Sequence, residues 1–302
     1  MSHFPFHRVN WVTSVFLIGT FLASAIGVPL YLYHFGMPGW GQIAMFLFYT
    51  IATGLSITLG YHRLFSHRAF EASWPVKLAT LTFGAATFEN SAFDWVSDHR
   101  RHHKHVDHDD DPYNINKGFF WAHIGWLFFR VKPGPPKDNV ADLKKDKLVM
   151  FQRDHWLWMG LVVGFVLPTV LGYFMGPEGR PWVGALAGFL FSGVLRVVAV
   201  QHSTFFINSL CHCVGSRPFS TRCSARDSGI MALFTFGEGY HNYHHEFQHD
   251  YRNGIGFWKW DPTKWTIWTL HKLGLASKLR TVPQEKIEAA REAVKQQEIG
   301  AR

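Results

Sequence analysis

Residues 11–60 read "WVTSVFLIGTFLASAIGVPLYLYHFGMPGWGQIAMFLFYTIATGLSITLG", without one Asp, Glu, Lys or Arg. A bilayer core of about 30 Å takes about 20 apolar residues in a helix. The stretch therefore holds two spans, 11–33 and 41–60, joined by the Gly/Pro turn "HFGMPGWG". Pro29 falls near the end of the first span, where a helix tolerates it. The pattern recurs in 156–175 and 182–207, joined by "GPEGRP". The first span is too long for a signal-peptide apolar region and lacks a small-residue cleavage site, so it is expected to be retained. The expected fold is an all-α integral membrane protein: four transmembrane helices in two hairpins, with a cytosolic helical cap.

Charge gives the orientation. The chain has 302 residues, 47% hydrophobic and 17% charged, against about 25% charged in soluble domains. A net charge of +8 suits nucleic acid or an anionic membrane surface, and the apolar segmentation selects the membrane, with no nucleic-acid partner. Of 30 lysines and arginines only Arg180 lies in the two turns, and Arg196 falls inside the fourth span. The positive-inside rule then puts both termini and the regions 61–155 and 208–283 in the cytoplasm. Residues 284–302 read as a charged, helical, partly frayed tail, and 1–302 as a single domain. Within the first cytosolic region, 76–88 ("VKLATLTFGAATF") is apolar but too short to span, so it reads as an interfacial or re-entrant helix. "KPGPPKDN" at 132–139 reads as a loop. The three cysteines, Cys211, Cys213 and Cys223, form no disulfide-scaffold spacing and read as reduced thiols. Arg196 is a costly intramembrane charge and reads as structurally paired.

Against this topology the histidines fall into four sets. "HRLFSH" carries His62 and His67, "HRRHH" carries His99, His102 and His103, "INSLCH" carries His212, and "HNYHH" carries His241, His244 and His245. All nine lie on the cytoplasmic side. Positions i, i+3 and i+4 share one helical face, so each HxxHH presents its imidazoles together, while the adjacent pair diverges enough to reach two different ions. His62 and His67 are five apart, which does not suit one straight face, so one of them is expected where the helix ends or bends. One HxxHH alone could be a polar helix face. Two copies with HxxxxH, all at one surface, point to ligands. Imidazole suits iron, zinc, copper and nickel, and nine imidazoles exceed what one ion holds, which implies two metals. By contrast, His105 and His108 in "HKHVDHDDDPYN" read as a solvated turn, and His202 as a packed polar residue.

The strings "GYHRLFSHRAF", "DHRRHHKHVDHDDDPYN", "FINSLCH" and "GEGYHNYHH", set around two membrane hairpins, resemble those of the integral-membrane fatty acyl desaturases. The similarity is strongest to the stearoyl-CoA (Δ9) branch, including its small bacterial members. It covers nearly the whole chain, to "WKWDPTKW" near 265. The resemblance implies two iron ions and O₂-dependent introduction of a cis double bond, at Δ9, into a saturated acyl chain, with acyl-CoA as the favoured carrier. It implies no catalytic acid or base beyond the metal ligands. One iron would take His62, His67, His99 and His241, with Asn208 holding a water. The other would take His102, His103, His212, His244 and His245. Trp95 and Thr204 would line the acyl slot. Glu89, standing where the family often has glutamine, would contact the substrate with Asn90, Asp98, Arg130 and Lys132. The setting implied is a bacterial cytoplasmic membrane, with the metal site on the cytoplasmic side.

Two other readings stay open at this level. Membrane di-iron hydroxylases of fatty acids or alkanes use similar clusters and insert oxygen. A metal transporter would need polar ligands along a route across the bilayer, which Arg196 and His202 alone do not make. The chain carries no haem-binding domain, nicotinamide or flavin glycine fingerprint, or iron–sulfur cysteine set. A separate electron donor, such as a ferredoxin or a b-type cytochrome, is therefore expected, and a basic cytosolic surface would suit an acidic one.

Overall fold

A computed structural model of the chain describes residues 6–130 and 136–300. Four helices are long and apolar enough to cross a membrane: α1 (Trp11–Phe35), α2 (Trp40–Ser66), α6 (Lys147–Phe174) and α7 (Pro181–His212). They match the four spans read from hydropathy, but three of them run on past the apolar stretch. α2 continues through His62, α6 starts in polar sequence after an Asp146 cap, and α7 carries on to His212. Hydropathy marks where lipid can sit, whereas backbone hydrogen bonding decides where a helix stops. The shorter elements are α3 (Trp74–Ala85), α4 (Ala92–His105), α5 (Phe119–His123), α8 (Gly229–Phe234), α9 (His241–Glu246), α10 (Pro262–Lys272) and α11 (Gln284–Gly300). A two-residue antiparallel pair, β1 (Glu71–Ala72) with β2 (Ala276–Ser277), completes the order. It is too short to leave a sequence pattern.

The chain forms two compact units, the first comprising residues up to Gly54 with Leu81–Asp94 and Ile124–His202. In this unit the α6–α7 hairpin is joined through glycine. Gly172 on α6 and Gly176 just beyond its end oppose Gly184 and Gly188 on α7, and a Cβ at Gly188 would stand 2.1 Å from the Pro168 carbonyl oxygen. Two spaced glycine pairs thus let the backbones touch, which replaces a hydrophobic driving force that lipid does not supply. Gln42 of α2 bridges the same crossing, donating from Nε2 to the carbonyls of Gly172 and Gly184 at 3.1 and 3.0 Å. Tyr31 of α1 packs with Val183, Ala187 and Leu190 of α7. Arg196 is fully buried here. Its guanidinium donates to the carbonyls of Ala86, Gly164 and Ser192, and it lies 5.7 Å from the Tyr49 ring. The pairing expected for this charge is therefore made with backbone oxygens.

The second unit comprises Leu55–Thr80, Trp95–His123 and the residues from Ser203 on. Its polypeptide is anchored by side-chain caps: Ser228 accepts from Met231 N at the start of α8, and Asp261 from Lys264 N at the start of α10. Asn242 fastens the 219–225 loop, accepting from Phe219 N and Ser220 N and donating to the carbonyls of Ser220 and Ala225. The tail read as helical and partly frayed forms α11 over Gln284–Gly300. Ile287 and Val294 of α11 are buried, seven residues apart on one face, and Ile287 packs with Phe219 and Tyr243.

Candidate metal centre

Three helices and one helix end carry the nine histidines, all within the second unit. The last turns of α2, Ser56–Ser66, widen to π geometry, and His67 N donates to the His62 carbonyl at 3.1 Å. An i to i+5 bond places residues five apart above one another, which is how a spacing unsuited to an α-helix delivers both rings to one place. His67 is also the residue at which the helix stops. α4 supplies His99, His102 and His103, the end of α7 supplies His212, and α9 supplies His241, His244 and His245.

These rings form two groups able to hold metal ions. His62, His67, His99, His103 and His244 make the first, and His102, His212, His241 and His245 the second; within each group the ligand nitrogens lie within 4.8 Å of one another. In the first, Nε2 of His67 is 2.8 Å from Nε2 of His99, and Nε2 of His244 is 3.0 Å from those of His62 and His103. In the second, Nε2 of His241 is 3.1 Å from those of His212 and His245, and His102 and His245 meet at 3.3 Å.

The division corrects the partition implied by family resemblance. His103 and His244 belong with His62, and His241 belongs with His102. The reason is helical geometry: consecutive residues point about 100° apart, so His102 and His103 separate into different groups, as do His244 and His245. Asn208 is half-buried on α7, one turn before His212.

The histidines are shielded from water, and that sets their charge. Burial, followed by the neighbouring imidazoles, holds His67, His99, His103, His241, His244 and His245 well below the ordinary value of 6.5. Neutral rings with converging Nε2 atoms present lone pairs to a common point, and a cation there satisfies them all. The residues present thus fit a pair of metal ions.

Two of the outward nitrogens are hydrogen-bonded as well. His102 Nδ1 is 2.9 Å from Asp111 Oδ1, and His212 Nδ1 is 2.7 Å from Ser224 Oγ, which donates to Asp107. His62 Nδ1 lies 2.9 Å from Glu238 Oε2. Trp95 stacks on His99 with ring centres 4.8 Å apart. Glu238, Asp111, Asp107 and Ser224 were not singled out by sequence reading. The available signal was position: Glu238 precedes His241 by three residues, and Asp111 lies in the acidic string beside the second cluster. The rest of that string, Asp109 and Asp110 with His108, is exposed.

The residues expected to contact substrate are spread over both units. Trp95, Asp98 and Thr204 are half-buried in the second, and Thr204 stands one turn before Asn208. Glu89 is half-buried in the first, where Asn90 and Arg130 are exposed. Asn90 adopts a positive φ of 78° and caps Ser91 N. Lys132 lies outside the described residues. His202 packs against Phe21, and the three cysteines form no disulfide.

Comparison with known proteins places this architecture. The fatty acid desaturase family profile matches residues 38–269. The chain is 40% identical over 283 residues to a probable acyl-CoA desaturase of Schizosaccharomyces pombe, covering 93% of this chain and 57% of that one. It is 40% identical over 293 residues to acyl-CoA desaturase 1 of Saccharomyces cerevisiae, covering 94% and 54%. To the stearoyl-CoA desaturase of Sus scrofa it is 36% identical over 245 residues, covering 80% and 67%. The chain thus spans a little over half the length of the two fungal relatives. With four membrane-length helices, two groups of converging imidazoles and this extent of similarity, the chain belongs to the fatty acid desaturase family, in its acyl-CoA/stearoyl-CoA desaturase branch.

Proposed function

We propose that this chain is an O₂-dependent acyl-CoA desaturase that introduces a cis double bond, at Δ9, into a saturated acyl chain. The observation that carries the reading is the pair of adjacent, water-shielded imidazole groups. We assign them two iron ions, one held by His62, His67, His99, His103 and His244, the other by His102, His212, His241 and His245, with Asn208 acting through water beside His212. Bound iron would supply the redox chemistry with O₂. The protein's part is to hold the ligands neutral, exclude water and present one carbon–carbon bond of the chain. Trp95, stacked on His99, and Thr204 would line the acyl path. An apolar chain gains about 0.8 kcal/mol per buried CH₂, so a saturated acyl group suits such a path. Glu89, Asn90, Asp98, Arg130 and Lys132 are assigned to the polar end of the substrate.

Residues 1–302 act in this reading as one desaturase domain, with termini and metal site on the cytoplasmic face of a bacterial-type membrane, because the turns between spans carry almost no basic charge. Electrons come from a separate ferredoxin or b-type cytochrome. The test is a host expressing the chain and fed a deuterated saturated fatty acid, with its lipids analysed by mass spectrometry. A double bond that vanishes in His244→Ala supports the reading and reports its position. A hydroxylated product would move the protein to the hydroxylases. No product, with iron bound and a donor supplied, would refute it.

A further inference from the structure

Behind His62 lies a buried ionic network. Arg63, the next residue in the π-helical turn, is 1% exposed. It donates from Nε and Nη2 to Glu238 Oε1 at 3.0 and 2.8 Å, and from Nη1 and Nη2 to Asp261 at 3.1 and 3.0 Å. Nη1 also reaches the Tyr251 carbonyl at 2.7 Å. Asn253 Nδ2 donates to Glu238 Oε2, and Asp261 Oδ2 accepts from Asn253 N and Gly254 N. Glu238 is 2% exposed and held by three hydrogen bonds from Arg63 and Asn253, with Oε2 2.9 Å from His62 Nδ1.

A carboxylate can only accept a hydrogen bond, so a hydrogen bond across this 2.9 Å contact requires the proton on Nδ1. We propose that Glu238, fixed by Arg63, is a positioning residue that sets His62 in its Nδ1–H tautomer and so keeps the Nε2 lone pair on the metal of the first group. Asp111 does the same for His102 in the second group. A carboxylate behind a ligand imidazole orients the ring and strengthens its basicity, and its loss weakens metal binding by about 10- to 100-fold. The two groups are supported unequally: the carboxylate of the first is neutralised by a buried arginine, whereas among the described residues Asp111 receives the imidazole and the backbone N–H groups of Asp107 and Tyr113.

This inference rests on the two-metal reading of the histidine groups. Its test is a Co²⁺ titration of the full chain in detergent, against a competing chelator, with metal counted per monodisperse chain. Glu238→Gln keeps an acceptor for Arg63 but turns an amide N–H₂ towards His62 and Asn253. The amide then favours the Nε2–H tautomer, which cannot ligate. Wild-type chain is expected to take two equivalents, and Glu238→Gln to weaken one of them 10- to 100-fold while the other is unchanged. Asp261→Asn disturbs Arg63 without touching His62, and is expected to keep both. Asp111→Asn probes the same device in the second group, so the inference remains exposed to refutation even where Glu238→Gln fails to accumulate. Two undiminished equivalents in Glu238→Gln and Asp111→Asn, or equal loss in Asp261→Asn and Glu238→Gln, would overturn it. A wild-type chain holding fewer than two ions would instead sink the two-metal reading, and this inference with it.

Discussion

Arg63 and Arg196 are both fully buried, one in each unit, and they are satisfied in opposite ways. Among the described residues Arg196 donates to three carbonyls and to no carboxylate. Arg63 sits between Glu238 and Asp261, with one carbonyl besides. A carbonyl is a neutral acceptor fixed by the backbone, so Arg196 ties helix and loop backbones together at membrane depth. A carboxylate is a charge with its own freedom, and pairing it with arginine fixes its direction. That direction is what His62 uses. The first unit spends its polar groups on joining backbones, and the second on aiming side chains.

Removing each arginine should separate the two uses. Arg63→Met leaves two buried carboxylates unpaired, and breaking one partner from such a network costs about 3–5 kcal/mol. Thermal unfolding in detergent should show the larger loss here, with metal per folded chain also reduced. Arg196→Leu removes the charge together with its cost and leaves carbonyls unsatisfied, at about 1–3 kcal/mol for such a group. Folded protein and total bound metal should fall together, with metal per folded chain unchanged. A loss of metal from the folded Arg196→Leu fraction would erase the distinction between the two arginines. Gly184→Ala sharpens it, since its Cβ would meet the Gly172 carbonyl oxygen at 2.3 Å. Overpacking of about 1–3 kcal/mol should lower the thermal midpoint while the metal ratio stays at the wild-type value.

The second unit should also respond to acid. These six histidines, His67, His99, His103, His241, His244 and His245, resist protonation in the folded chain, while the unfolded chain takes up those protons below the ordinary value of 6.5. The unfolded state then binds more protons, so stability falls as pH is lowered through 6.5 and is flat above it. Metal-stripped protein should show this slope in its thermal midpoint between pH 7 and 5. An unchanged midpoint across that range would contradict neutral, buried ligands.

Asp227 should oppose the trend weakly. It accepts from Asn242 N and Tyr243 N at the start of α9, and burial pushes it up to about 6 from 3.8 although those bonds pull the other way. The folded state therefore binds the extra proton between those values, so this group adds stability as pH falls. Asp227→Asn should leave the midpoint at pH 8 equal or higher and make the acid-side slope slightly steeper. An unchanged slope would show that the carboxyl titrates as it does in the unfolded chain.

Hydropathy and charge were sufficient for the four spans and the class of fold, because lipid imposes a length and a composition on every crossing segment. Histidine spacing was sufficient for two groups able to hold metal ions, since i, i+3 and i+4 share a face whatever the rest of the chain does. The same local geometry, that neighbours on a helix diverge, was a better guide to which ring joins which group than the partition carried over from relatives. What only the tertiary structure decided lies across long sequence separations. The π-helical turn that brings His67 above His62, the docking of α11 by Ile287 and the pairing of Arg63 with Glu238 and Asp261, 175 and 198 residues away, leave no local pattern. A carboxylate in a sequence is a solvated surface charge by default, and it becomes the orienter of a metal ligand only when folding removes the water and leaves an imidazole as its partner.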